Sequence, residues 1–166
     1  MSTRVAIVDA AIDPAALLAE VAATGIGATT LFVGTVRDVN EGRVVTGIEY
    51  SAYVPMAQAE LQRIVSEAVA LFASPAIVVV HRIGALGLGE ASVAAVTAHA
   101  HRGSALDAMR YVVEQLKARV PIWKRELYAD GTREWVNAAS ALAAAARGST
   151  DAPSHTVPPH TSTAHA

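Results

Sequence analysis

Two strand-like segments follow one another early in this chain with only a polar loop between them. Ala28–Val36 reads ATTLFVGTV and Val44–Tyr53 reads VVTGIEYSAY, both rich in the β-branched and aromatic residues that favour strands. The loop between them, Arg37–Arg43 (RDVNEGR), carries turn chemistry at Asn40-Glu41-Gly42. This succession breaks the strict βαβ alternation of a doubly wound sheet and predicts an α+β fold.

The remaining elements fit that class. Asp13-Pro14 opens a first helix as N-cap and first helical residue, with Leu17, Leu18 and Val21 as its apolar face and Gly25 and Gly27 at its end. Pro55 starts a long amphipathic helix to about Ala73, carrying Leu61, Ile64, Val65, Ala68 and Leu71 on one side. Ala76–Ile83 reads as a buried strand. A glycine-rich connection, 84–89, leads to a strand from Ala91 to about Ala100. Ser104, with Asp107 three residues on, predicts the N-cap of a helix running to Arg119. Pro121 introduces a strand at Ile122–Tyr128 with a turn at Asp130-Gly131, and Asn137–Ala146 is expected to form a last helix. From Arg147 the composition turns to Ser, Thr, Pro and His, which predicts a disordered tail over 147–166 behind a single domain over 1–146.

Half of the 166 residues are apolar and 17% are charged, enough to build one core. A net charge of −2 gives no reason to expect nucleic acid. The N-terminal segment lacks a long apolar stretch and no run approaches membrane-spanning length, so neither a signal peptide nor a membrane is expected and the cytoplasm is the default. Cysteine is absent altogether, which excludes disulfides, thiolate metal sites and a cysteine nucleophile. Any sulfur handled here has to arrive on another molecule.

Three basic groups are candidates for chemistry: Arg37 after a strand, His101-Arg102 before a helix, and Lys117 to Glu126 (KARVPIWKRE). His101-Arg102 is the best local anion site, because free N–H groups and the helix dipole favour a phosphate there. Taken alone, such a pair reads better as an ordinary solvated loop. Lys117 alone reads better as a dipole-compensating surface residue, and Lys124 alone as a strand-edge charge beside Trp123. Their joint occurrence says more. Of thirteen basic residues eleven are arginine, and the only lysines, 117 and 124, fall within one short segment. A site that merely held phosphate could use arginine, whereas an amine that must give up a proton or attack a carbonyl cannot be one. Arg119 and Arg125 are the neighbouring cations expected to ease that proton loss. His99 and His101 have a zinc-like spacing but no evident third ligand, so no metal is expected, and no cofactor fingerprint is present.

The series Val33–Arg37 (VGTVR), Glu49-Tyr50, Val80–Gly84 (VHRIG), Ala100–Arg102 (AHR), Leu116-Lys117 and Pro121–Glu126 (PIWKRE) closely resembles the large subunit of molybdopterin synthase, from about residue 5 to residue 137. The resemblance implies an α/β-hammerhead type of fold in a single domain, and a homodimer at the core of a heterotetramer. Each end of that dimer would bind a small ubiquitin-like sulfur carrier ending in a Gly-Gly thiocarboxylate. The implied substrate is cyclic pyranopterin monophosphate, converted to molybdopterin by two sulfur transfers. Substrate-binding segments then correspond to Thr35, Val36 and Arg37, to His101 and Arg102, and to Lys117, Lys124, Arg125 and Glu126. Arg37, His101 and Arg102 are expected on the phosphate. Lys117 is expected as the catalytic amine, with Lys124 assisting proton transfer or orienting the pterin. The competing reading is a non-catalytic anion-binding scaffold for a ubiquitin-like partner, against which the two lysines argue. A phosphatase or phosphodiesterase lacks a metal cluster or positioned nucleophile.

Overall fold

In a computed structural model, which describes residues 3–73 and 75–136, the chain folds as two sheets with three helices. The helix expected at Asn137–Ala146 and the tail from Arg147 lie outside the described residues.

The first sheet is built from β1 (Thr3–Val8), β2 (Ala28–Thr35), β5 (Ala76–Arg82) and β7 (Ala91–His99), in the order β1-β5-β7-β2. The pair β1–β5 is parallel, and β7 runs antiparallel to both β5 and β2. The central strands are continuously apolar because both their faces are covered. One side of the sheet meets α2 (Val54–Leu71) and α3 (Arg102–Arg119). There Ile77, Val79, Val93 and Ala95 pack against Leu61, Ile64, Val65, Val112 and Leu116. The other side, through Ala76, Val78, Val80, Ala94 and Val96, receives Leu17 and Val21 from the region of α1 (Pro14–Glu20).

The second sheet contains β3 (Val39–Asn40), β4 (Arg43–Ala52), β8 (Ile122–Tyr128) and β9 (Arg133–Val136) in that order, and β6 (Gly84–Leu86) also pairs with β4. Val36, Val45, Ile48, Leu86 and Tyr128 form its separate apolar cluster. Mixed helices and sheets without regular alternation bear out the α+β class.

Several boundaries differ from expectation, each for a local reason. Asp13 caps α1 through its carboxylate, 2.9 Å from the Ala15 N–H and 3.2 Å from that of Ala16. The helix ends at Glu20, before either glycine. Gly27 instead lies so close to the Ala100 carbonyl that a Cβ would collide with it. Leu71 is 62% exposed, so the buried stripe of α2 stops at Ala68. Ser104 is not the cap of α3: the helix begins at Arg102, with His101 as an extended N-cap whose side chain makes no capping bond. The segments β3, β6 and β9 were not foreseen. They are two to four residues long, too short to show a period, and exist because β4 and β8 offer them free edges. Among the described residues, no helix is long and apolar enough to cross a membrane.

Candidate active site

The two sheets diverge at the C-terminal end of α3 and leave a cleft of about 290 Å³ between them. Phe32, Gly34 and Thr35 of β2 form one wall. Val45, Ile48 and Tyr50 of β4 form another, and His81, Ser92 and Val93 reach in from the first sheet. Lys117 comes from the last turn of α3, Arg37 and Asn40 from the β3 hairpin, and Lys124 and Glu126 from β8.

The strand period decides which residues of β8 take part. Successive side chains point to opposite faces, so Lys124, Glu126 and Tyr128 share one side and Arg125 takes the other. Arg125 is ion-paired with Glu49, its cross-strand neighbour, and its guanidinium sits 5.1 Å from the Trp135 ring centroid. Arg125 therefore does not line the cleft. Nor does Val36, which is buried in the apolar cluster of the second sheet.

Glu126 is the most enclosed charged group, with 2% of its surface exposed. Its Oε1 accepts from Lys124 Nζ at 3.0 Å, and its Oε2 accepts from Asn40 Nδ2 at 2.8 Å and from the Tyr128 hydroxyl at 2.8 Å. Burial pushes this carboxyl up, but the bonds from Tyr128, Lys124 and Asn40 outweigh it and hold the group below the usual carboxylate range. The Arg37 guanidinium donates to Asn40 Oδ1 at 3.3 Å. Lys117 is exposed, with Nζ 5.9 Å from the Phe32 ring centroid, and among the described residues it has no carboxylate within ion-pair distance. Three cations thus face a single carboxylate, and the cleft suits an anion.

The expected neighbouring cations act elsewhere. Arg119 is held by Glu60 and Glu67 at 2.7 and 2.6 Å, against α2, and Arg125 is occupied by Glu49.

His101 and Arg102 are also outside this cleft. They occupy the N-terminal end of α3, fifteen residues from Lys117, which at the helical rise of 1.5 Å per residue is about 22 Å along the axis. Both are exposed. The His101 backbone N–H donates to His99 Nδ1 at 2.9 Å, which engages the nearer nitrogen of that buried ring. Among the described residues, no three His, Cys, Asp or Glu side chains gather as metal ligands would.

Sequence reasoning gave no role to Asn40, Tyr50, His81 or Tyr128, although Tyr50 and His81 fall in segments that carry the resemblance. His81 is 5% exposed, meets the Tyr50 ring edge-on at a centroid distance of 5.2 Å, and places Nδ1 2.9 Å from the Arg82 carbonyl. Burial pulls its pKa down to about 4, against the raising effect of that backbone carbonyl. The ring is therefore neutral, donating from Nδ1. Tyr128 could have been found by stepping two and four residues along β8 from Lys124. Nothing in the sequence separated Asn40 from an ordinary turn residue.

The fold and the cleft define a mixed α+β protein whose small, lysine-bearing cationic hollow is chemically suited to a compact anion. The particular family follows from comparison: residues 7–119 match the MoaE protein family model, and the chain belongs to that family. It is 44% identical over 109 residues to the molybdopterin synthase catalytic subunit of Bos taurus, covering 66% of this chain and 58% of that one. It thus spans little more than half the length of its bovine and rat relatives. The crystal structure of molybdopterin synthase from Staphylococcus aureus superposes with a TM-score of 0.75 at 32% identity, covering 78% of this chain and 94% of that one. A protein–protein complex of subunits 1 and 2 of molybdopterin-converting factor from Helicobacter pylori 26695 matches with a TM-score of 0.67 at 25% identity, covering 80% and 89%.

Proposed function

We propose that this chain is the catalytic subunit of a cytoplasmic molybdopterin synthase. It takes sulfur from the C-terminal thiocarboxylate of a small ubiquitin-like carrier and places it on cyclic pyranopterin monophosphate. The observation that carries this reading is the convergence of Arg37, Lys117, Lys124 and Glu126 on one cleft in a member of the MoaE family. The absence of cysteine fits sulfur delivered from outside.

In each transfer the thiocarboxylate sulfur bonds to a side-chain carbon of the pterin as a C–O bond at that carbon breaks, its oxygen leaving as water or staying on the phosphate, and the acyl–sulfur bond is then hydrolysed. Water adds its oxygen to the acyl carbon, so the carrier is released as a carboxylate and the sulfur stays on the pterin. Two rounds yield the dithiolene. Lys117 is the amine assigned to the carrier's terminal carbonyl, supported by its exposed position in the cleft without a carboxylate partner among the described residues. Lys124, fixed by Glu126, is assigned to proton transfer and to orienting the pterin. Arg37 is assigned to the phosphate, with Thr35 beside it.

His101 and Arg102 join that phosphate site from a second copy of the chain. Such a homodimer would cover the outer edge of β2 and the exposed Leu31 and Leu106, and would form the core of a heterotetramer with two carriers. The Helicobacter pylori complex of two subunits supports a partner of that kind. Arg125 and Val36 are left without substrate contact and act as framework.

The test is reconstitution with thiocarboxylated carrier and pterin phosphate. Lys117→Ala and Lys117→Arg should each lower dithiolene formation by about a hundredfold or more while the proteins stay folded. Near-normal turnover in both would remove Lys117 from its role.

A further inference from the structure

Asn40 lies where the carboxylate of Glu126 meets the guanidinium of Arg37, and its amide satisfies both. The carbonyl end accepts from Arg37 at 3.3 Å and the amino end donates to Glu126 Oε2 at 2.8 Å. An amide turned the other way would set NH₂ against a guanidinium and oxygen against a carboxylate, so the network fixes its orientation. A carboxylate or an ammonium could serve one neighbour well and the other badly. With Tyr128 also donating to Oε2 at 2.8 Å, this oxygen has two donors and Oε1 is left to Lys124 at 3.0 Å.

We propose that Asn40 is a positioning residue of the cleft: by occupying Oε2 it aims the other oxygen of Glu126 at Lys124, and so fixes the place of that ammonium relative to a bound substrate. This rests on the reading that Lys124 acts in the cleft. The hairpin supports the task. Asn40 ends β3, and the turn that follows has left-handed backbone at Glu41 (φ 50°) and Gly42 (φ 78°). That tight return holds β3 against β4, from where Asn40 reaches across to β8. The charged and titratable groups around Glu126 are Lys124 and Tyr128 on its own strand, Arg37 beyond Asn40, and Lys117, Tyr50 and His81 in the walls of the cleft. Glu134 on β9, its register partner, is itself held by Arg43 at 2.6 Å, and that guanidinium lies over the Tyr128 ring.

The experiment compares the full chain with Asn40→Leu, which removes both bonds, and Asn40→Asp, which keeps the shape and the Arg37 contact but replaces the donor by a second carboxylate. The Glu126 carboxyl is titrated by carbon-13 NMR, which needs no turnover. Its midpoint should move to higher pH in both variants, further in Asn40→Asp. In the reconstituted reaction kcat should fall about tenfold, with KM for the pterin phosphate within about twofold, and the acid limb of the rate profile should move up with the midpoint. An unmoved Glu126 midpoint in both variants overturns the proposal. So does a rise in KM alone with that midpoint unchanged, which assigns Asn40 to substrate through Arg37. Failure of the wild-type protein to make any dithiolene would count against the sulfur-transfer reading instead, and the NMR titration would still judge Asn40.

Discussion

His81 shows how a single side chain acquires a property the sequence does not announce. Its ring is buried against Tyr50 of β4, and its pKa falls to about 4. The unfolded chain takes up this proton near 6.5, so between the two values the unfolded state binds more protons than the folded one. Stability from His81 is therefore complete above the unfolded value and is lost as pH falls towards the folded one. Between pH 7 and pH 5 the loss should be about 2 kcal/mol. Urea unfolding at the two pH values should show it, and His81→Gln should remove most of the difference. A variant with the same pH dependence as the wild type would show that another group is responsible. Glu126 has the usual carboxylate sign: its depressed pKa contributes above the ordinary glutamate value and is lost as acid titrates it. At this scale the two lysines were legible, because an arginine-rich chain retained them. The partners of Glu126 were not, since they come from positions as distant as Asn40.

Among the elements, the hairpin β3–β4 matters most to the cleft and has least to hold it. Gly42 has a φ of 78°, where an L side chain is strained. Gly42→Ala should cost about 1 kcal/mol of stability. Because that strain falls on the turn carrying Asn40, it should also lower turnover more than Gly87→Ala, whose Cβ meets only the Glu90 carboxylate at an ordinary 3.6 Å. Thermal melts and turnover of the two variants give the comparison, and equal turnover would separate the hairpin from the site. At the start of α1, Asp13→Ala should cost about 1 kcal/mol by urea unfolding, since its carboxylate serves two backbone N–H groups at the first turn. The long elements were readable from the sequence because many residues vote for one period. The start of α3 was misread by three residues. Ser104 and Asp107 offered capping chemistry, but the chain turns at His101, where β7 ends and the His99 ring takes the backbone N–H.

For the whole molecule, the decisive question is where His101 and Arg102 go. One copy sets them about 22 Å along α3 from Lys117, so a phosphate site containing both ends of the helix needs two copies. That arrangement predicts complementation. Lys117→Ala and Arg102→Ala should each be nearly inactive, yet a refolded equal mixture should recover about a quarter of wild-type activity. Half the dimers would be mixed, and each mixed dimer would hold one intact site of two. No recovery, with mixed dimers confirmed by mass, would mean that each cleft works within one chain.

The order of apolar periods, the lone pair of lysines and the missing cysteine were fixed by the chain itself, and they determined the α+β class, the basic segment and the exclusion of a cysteine nucleophile. Local pattern can do this because helix and strand periods and side-chain chemistry are properties of neighbouring residues. Tertiary structure alone decided that Arg125 turns away while Lys124 and Glu126 turn in, that Arg119 is spent on Glu60 and Glu67, and that Asn40 closes the network. Each of those outcomes depends on which strand lies beside which, a long-range pairing that buried apolar surface selects and that no local spacing encodes.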